Sequence, residues 1–214
     1  MRPVLAVLVA IRLVALSAVL LAAAAAPAHA QWFAAAYIDN NAVGDVQSGR
    51  IGAGLSAGYY LRGQVGLELD GELHGHFFRD ESVAALMPDG VDLNTRAALA
   101  SGNIVVPYCL HSPATGTWCP YATTGFGIIE EILQGIAHAA GTSSFDRTQI
   151  DPAWNAGIGA MHALTPWLGL RVDARYFHAF VDEAKATGYA TDYAYWRFSV
   201  GLTFGGPARP QPSP

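Results

Sequence analysis

Acidic and imidazole side chains recur at every second position of one segment, as Glu68, Asp70, Glu72, His74 and His76. In an extended chain this spacing puts all five on one face, because successive side chains point to opposite sides. A second segment alternates in the same way with Arg171, Asp173 and Arg175, and a third carries Arg197 in the row Tyr195, Arg197, Ser199. Carboxylates and guanidinia that meet across a fold form ion pairs, and buried charges are tolerated only when paired and hydrogen-bonded. Glu72, His74 and His76 also have the donor types of a metal site, a His-x-His pair with a carboxylate. The competing reading of that trio is a polar rim with no ion, so no metal is assigned to the chain.

Cys109 and Cys119 bracket a turn-like segment, His111-Ser112-Pro113-Ala114-Thr115-Gly116. A disulfide clipping the base of a hairpin in an oxidising compartment is expected, with two inert thiols as the alternative. So short a ring contributes roughly 3 kcal/mol by loop-closure reasoning. No CxxC occurs, which argues against a redox motif and against a cysteine-ligated zinc site.

The elements that hold these residues follow from composition and period. The chain has 214 residues, 52% of them hydrophobic and only 14% charged, well below the quarter or so usual in soluble domains. Its only long apolar run, Pro3 to Ala28, is N-terminal, and no second stretch approaches the roughly 20 residues of a membrane helix. A polytopic helical membrane protein is therefore excluded. The 23 glycines, 11% aromatics and a lone lysine, Lys185, disfavour both a helical enzyme and a basic nucleic-acid binder.

Residues 1–30 read as a signal peptide for export through the Sec pathway. Arg2 and Arg12 supply charge, Leu13 to Ala26 the apolar core, and Ala28-His29-Ala30 a small-x-small site, so cleavage is expected between Ala30 and Gln31. An uncleaved anchor is the alternative. Cleavage would leave 184 residues with 10 basic and 17 acidic side chains, a net charge of −7.

Beyond Gln31 the period is two. Gln64 to Phe77 sets its acids and histidines against Val65, Leu67, Leu69 and Leu73. Ile51 to Leu61, Trp154 to His162, Trp167 to Phe180 and Tyr193 to Phe204 alternate similarly. Gln31 to Asp39, Leu93 to Tyr108 and Trp118 to Ile129 complete eight strands. In Leu93 to Tyr108, Ala97 and Leu99 fall on one row and Ile104 and Val106 on the other, so a bulge near Ser101-Gly102 is expected. Tight turns at Leu61-Arg62-Gly63-Gln64 and Leu164-Thr165-Pro166-Trp167 alternate with longer links near residues 40–50, 79–92, 130–151 and 182–192. Such alternation is the habit of an outer-membrane barrel with short periplasmic turns and longer outer loops. Residues 205–214 form a Pro-rich tail, expected to be disordered.

Eight strands also suit a soluble, lipocalin-like ligand-binding barrel, in which the same rows are inverted. The polar row here is mostly Gly, Ser and Thr with few charges and almost no lysine, which suits a lumen better than a solvated exterior. The expected architecture is therefore an all-β, eight-stranded antiparallel up-and-down transmembrane β-barrel over residues 31–204. In so narrow a barrel, Glu68, Asp70 and Glu72 would meet Arg171, Asp173 and Arg175, joined by Arg197 and by Arg96, as a salt-bridged plug; charges that merely line water are the alternative. Trp154, Trp167, Tyr176, Tyr193, Tyr195 and Trp196 lie near strand ends, where rings favour the membrane interface.

The strand Gly66-Leu67-Glu68-Leu69-Asp70, the turn and strand Thr165-Pro166-Trp167-Leu168-Gly169-Leu170-Arg171 and the closing strand Trp196 to Phe204 resemble the small outer-membrane β-barrel proteins of the opacity and OmpA type, the porin-like outer-membrane β-barrel family. The resemblance implies a cell outer membrane of the Gram-negative kind, contact with its lipid and lipopolysaccharide, and insertion by the barrel assembly machinery. The closing strand resembles the assembly signal of such proteins, although ten residues follow Phe204. No peptidoglycan-binding domain is expected after the barrel.

Some outer-membrane barrels modify lipids with a His-x-Ser pair and a nearby acid. Here His111-Ser112 is adjacent and His178 is followed by Ala179 and Phe180, so no enzyme and no cofactor is expected. The links carry 13 acids, Asp39, Asp151, Glu130 and Glu131 among them, against Arg50, Arg79, Arg147 and Lys185. They are read as solvated loops, with divalent bridges to lipopolysaccharide phosphates as the alternative. The expected role is a monomeric structural or surface-interaction barrel acting through four outer loops. A small-solute pore is the first alternative and the soluble barrel the second.

Overall fold

A computed structural model describes residues 31–44, 46, 49–61, 65–75, 77, 91–112, 116–137, 143–181 and 192–205. Every regular element among them is a strand: β1 (Gln31–Gly44), β2 (Ile51–Leu61), β3 (Val65–Gly75), β4 (Val91–Pro107), β5 (Leu110–Ser112), β6 (Gly116–Ala137), β7 (Ser143–Ala163), β8 (Leu168–Ala179) and β9 (Tyr193–Phe204). Neighbours in sequence pair antiparallel, β4 pairs with β6, and β1 pairs with β9, so eight strands close into a barrel. Closure leaves no sheet edge, which is what allows strands to cross a lipid core where backbone groups find no water. The three-residue β5 pairs only with β6, inside the turn between β4 and β6. Cys109 and Cys119 are disulfide-bonded across that turn.

β1 begins and β9 ends at one end of the barrel, the inner end, where β2, β4 and β7 also end. β1, β3, β6 and β8 end at the other, the outer end. β6 and β7 run past their neighbours there, paired as far as Ala137 and Ser143. Glu130 to Ala137 and Ser143 to Asp151, read from sequence as parts of a loop, are therefore strand.

The alternating rows settle which face meets lipid. Leu55, Leu69, Ile104, Ile158, Val172 and Val200 point outward and are exposed, whereas Glu68, Asp70, Arg175 and Arg197 point inward and are buried. A soluble barrel would invert this arrangement. Aromatic rings flank the outward apolar band at two levels. At the outer level Trp154, Tyr176 and Trp196 run across three strands with centroids 5.6 Å apart at each step. At the inner level sit the exposed Trp32, Trp118 and Trp167, with Trp167 6.4 Å from Phe204. Such girdles are where amphipathic rings lie in barrel proteins.

Three expectations need correction. β4 has no bulge: its register with β6 runs unbroken from Val91 to Pro107. Ala97 and Leu99 point inward because the outer part of the lumen is apolar, while Ile104 and Val106 meet lipid on the other face. The irregularity lies instead in β1 against β9, between Asn41 and Gly44, where Gly44 takes a φ of 138°. Arg96 is outward-facing and exposed, opposite Ile132, so it adds nothing to the lumen. Tyr193 and Tyr195 belong to the inward row of β9 and are buried, so they are not interface rings.

Leu69 sits mid-strand on the lipid face with half its surface exposed. Leu69→Arg is expected to lower the unfolding free energy by about 2–4 kcal/mol, read by urea unfolding in lipid vesicles.

Candidate functional site

The site is the lumen, and its geometry starts from which strands carry long inward side chains. β3 contributes Glu68, Asp70, Glu72 and His74; β8, directly across the eight-strand ring, contributes Arg171, Asp173 and Arg175; β9 contributes Arg197. At the level of these charges the lumen-facing positions of β2, β4 and β7 are largely small, such as Ser56, Ser101, Gly157 and Gly159. An eight-stranded interior is only just wide enough for side chains, so the long ones span it and touch.

Arg171 Nη1 donates to Glu68 Oε2 at 2.5 Å, and its Nε donates to the Tyr121 hydroxyl at 2.8 Å. Arg175 Nη2 donates to Glu68 Oε1 and its Nε to Asp173 Oδ1, both at 2.8 Å, while Nη1 lies 3.4 Å from Asp70 Oδ2. Arg197 pairs with Glu72, with Asp70 at 3.2 Å and with Asp173 at 3.5 Å. Tyr37 donates to Asp70, and Tyr121 donates to Asp173 at 2.6 Å. Arg197 also stacks over Phe177 at 5.0 Å. Each guanidinium is thus shared among carboxylates, which offsets the several kcal/mol that burying an ion costs.

Two apolar layers enclose this charged one. Toward the inner end Phe33, Tyr60, Val105, Cys119, Tyr121 and Met161 pack together, with Phe33 stacked on Tyr60 at 4.8 Å. Toward the outer end Phe77, Leu99, Ile129, Phe177, Tyr193 and Tyr195 do so, with Phe177 stacked on Tyr195 at 5.2 Å. Several inward rings lie over a glycine on the next strand. Tyr37 covers Gly54 and Tyr121 covers Gly159, where a Cβ would fall 2.3 Å from ring atoms.

A model of the outer membrane protein beta-barrel domain family matches residues 14–204. The chain belongs to that family. It is an outer-membrane β-barrel protein, similar in fold to a major outer membrane protein of Thermus thermophilus. The two are 11% identical, and the match covers 82% of this chain and 98% of that one at a TM-score of 0.53. OprG of Pseudomonas aeruginosa is 13% identical over 83% of this chain and 95% of its own, at 0.51. Neisserial surface protein A is 15% identical over 82% and 98%, at 0.47. No curated protein matches the chain.

The seven lumen charges named from the sequence, Glu68, Asp70, Glu72, Arg171, Asp173, Arg175 and Arg197, lie in one connected network in this outer-membrane barrel. Sequence reasoning missed its hydroxyl partners Tyr37 and Tyr121, and it placed Asp39 and Asp151 in outer links. Both acids are buried on inward rows, of β1 and β7. The signal for Asp39 was available: Phe33, Ala35, Tyr37 and Asp39 occupy one row. Of the proposed metal trio, His74 Nε2 lies 3.1 Å from Glu72 Oε1, while His76 is outside the described residues. His162 stacks on Trp118 at 4.3 Å and His178 lies 3.9 Å from the exposed Asp192.

Arg175 touches Glu68, Asp70 and Asp173 at once. Arg175→Met is expected to cost about 3–5 kcal/mol, because it leaves buried carboxylates uncompensated. Adding Glu68→Gln should cost less than the sum of the two single changes, as urea unfolding in a double-mutant cycle will read.

Proposed function

We propose that the chain is a non-enzymatic, monomeric barrel of a Gram-negative outer membrane with a closed lumen, whose role is structural or surface-interacting through its four outer links. The observation that carries this reading is the network of three buried arginines and their carboxylates, enclosed between two apolar layers. A conducting path would have to cross both layers and open those ion pairs. Among the histidines whose side chains are described, His74 turns to acids and His162 and His178 turn to rings or an exposed acid, so catalysis of the deacylase type has little to stand on there. Export through the Sec pathway with removal of residues 1–30, insertion by the barrel assembly machinery, and contact with lipid and lipopolysaccharide belong to the same reading. The outward apolar band and its aromatic girdles support it.

The protein reconstituted in planar bilayers is expected to show no steady conductance. A steady current that changes on Arg171→Met or Glu68→Gln would favour the small-solute pore instead. The mature protein is expected to begin at Gln31 by N-terminal sequencing, and to migrate in a heat-modifiable form from the outer-membrane fraction.

A further inference from the structure

At the outer edge of the charge layer, three ligand-type atoms from two strands converge over a third. His74 Nε2 lies 3.1 Å from Glu72 Oε1 and 3.2 Å from Asp39 Oδ1, and the three groups fall within 4.8 Å of one another. Asp39 is on β1 and the other two on β3; the strand between them, β2, presents Gly52, which is paired with both Asp39 and His74. A Cβ at Gly52 would fall 2.4 Å from the His74 ring and 2.6 Å from Asp39 Oδ1. The absence of that atom is what lets the acid and the imidazole approach across two strand spacings.

Two independent features point to a ligand. Asp39 is 4% exposed, yet neither of its carboxylate oxygens accepts a hydrogen bond among the described residues, and its contact there is the His74 ring. Asn41, the next inward residue of β1, is equally buried, and among the described residues neither of its amide atoms has a partner, nor does His74 Nδ1. So many unmet polar atoms in one place are costly unless something binds them. The second feature is charge. Asp39, Glu68, Asp70, Glu72 and Asp173 face three arginines within the layer, a deficit of two positive charges if His74 is neutral.

We propose that Asp39, Glu72 and His74 form a buried site for one divalent transition-metal ion of the zinc class. Zinc takes nitrogen and carboxylate oxygen at about 2.0–2.2 Å, which in a tetrahedron separates the ligand atoms by about 3.4 Å. The two observed separations from His74 Nε2 are close to that value. Arg197 holds the other Glu72 oxygen and so fixes the direction of Oε1. The unpartnered Asn41 side-chain oxygen, next in the same inward row, is the candidate fourth ligand. Phe77, 5.7 Å from the His74 ring, and Tyr195, 5.4 Å from Phe77, form an aromatic cover, and the buried Tyr195 hydroxyl is a further polar atom with no hydrogen-bond partner among the described residues. The ion would tie β1 to β3 independently of the ladder hydrogen bonds.

The test is to refold the full chain into detergent with and without zinc chloride, dialyse away free metal and measure bound zinc. Heat-modifiable migration serves as the check of folding. Wild type is expected to keep one zinc ion per chain and to melt at lower temperature after chelation. Asp39→Asn and His74→Gln should each weaken retention by at least about tenfold. Asp39→Asn touches no arginine, so it carries the comparison if His74→Gln fails to fold. A wild type that retains no zinc overturns the proposal on its own. So does undiminished retention in the folded variants, which would place the metal on exposed acids.

Discussion

Arginines that reach across a narrow lumen set the terms for nearly everything else in this barrel. A guanidinium taken out of water must find carboxylates within a few ångströms, and Arg171 and Arg175 on β8 find them on the opposite wall, at Glu68 and Asp70 on β3. Spanning side chains need room, so the walls between them are lined with serine, asparagine and glycine. Tyr37 and Tyr121 fill the remaining space by lying on Gly54 and Gly159, and their hydroxyls satisfy lone pairs that the arginines leave over. The glycine content, unusual for a globular domain, is in this sense the complement of three long cations.

The same network makes register unforgiving. A one-residue slip of β3 would turn Glu68, Asp70 and Glu72 toward the acyl chains and bring Leu67 and Leu69 inside. Either half of that exchange is costly, since the lipid face tolerates no charge near its middle and the guanidinia would face hydrocarbon. The apolar layers at Phe33–Tyr60 and Phe177–Tyr195 add a second constraint. They reward a register in which aromatic rings, not only charges, meet in the lumen.

Much of this is legible in the sequence because β3, β8 and β9 alternate cleanly, and because period two with a Gly-rich polar row fits only a few architectures. The rule that apolar residues face lipid and polar ones face the lumen fails where the lumen itself is apolar. Ala97 and Leu99 suggest a bulge for that reason, and Tyr193 and Tyr195 read as interface rings. Asp39 and Asp151 read as loop acids because the outer extension of the strands has no compositional boundary: β6 and β7 continue to pair well beyond Ile129. Which acid meets which arginine is beyond one-dimensional reading, since it depends on ring geometry. The meeting of Asp39 with His74 is hidden for a similar reason, because it depends on a missing Cβ on the strand between them.

The sign of the lumen charges is segregated along the chain. Among the described residues β1 to β4 bring Asp39, Glu68, Asp70 and Glu72 with no buried arginine, whereas the three buried arginines come from β8 and β9, with Asp173 beside them and Asp151 on β7. The first half of the barrel therefore cannot neutralise its own inner wall, and the cationic surplus of the second half, three arginines against Asp151 and Asp173, is its electrostatic counterpart. A partly assembled sheet would hold unpaired charges that keep it wet and out of hydrocarbon. Closure of β1 against β9 and burial of the charge layer are, on this account, one cooperative event, with the order of charges in the gene product acting as the instruction that brings its two ends together.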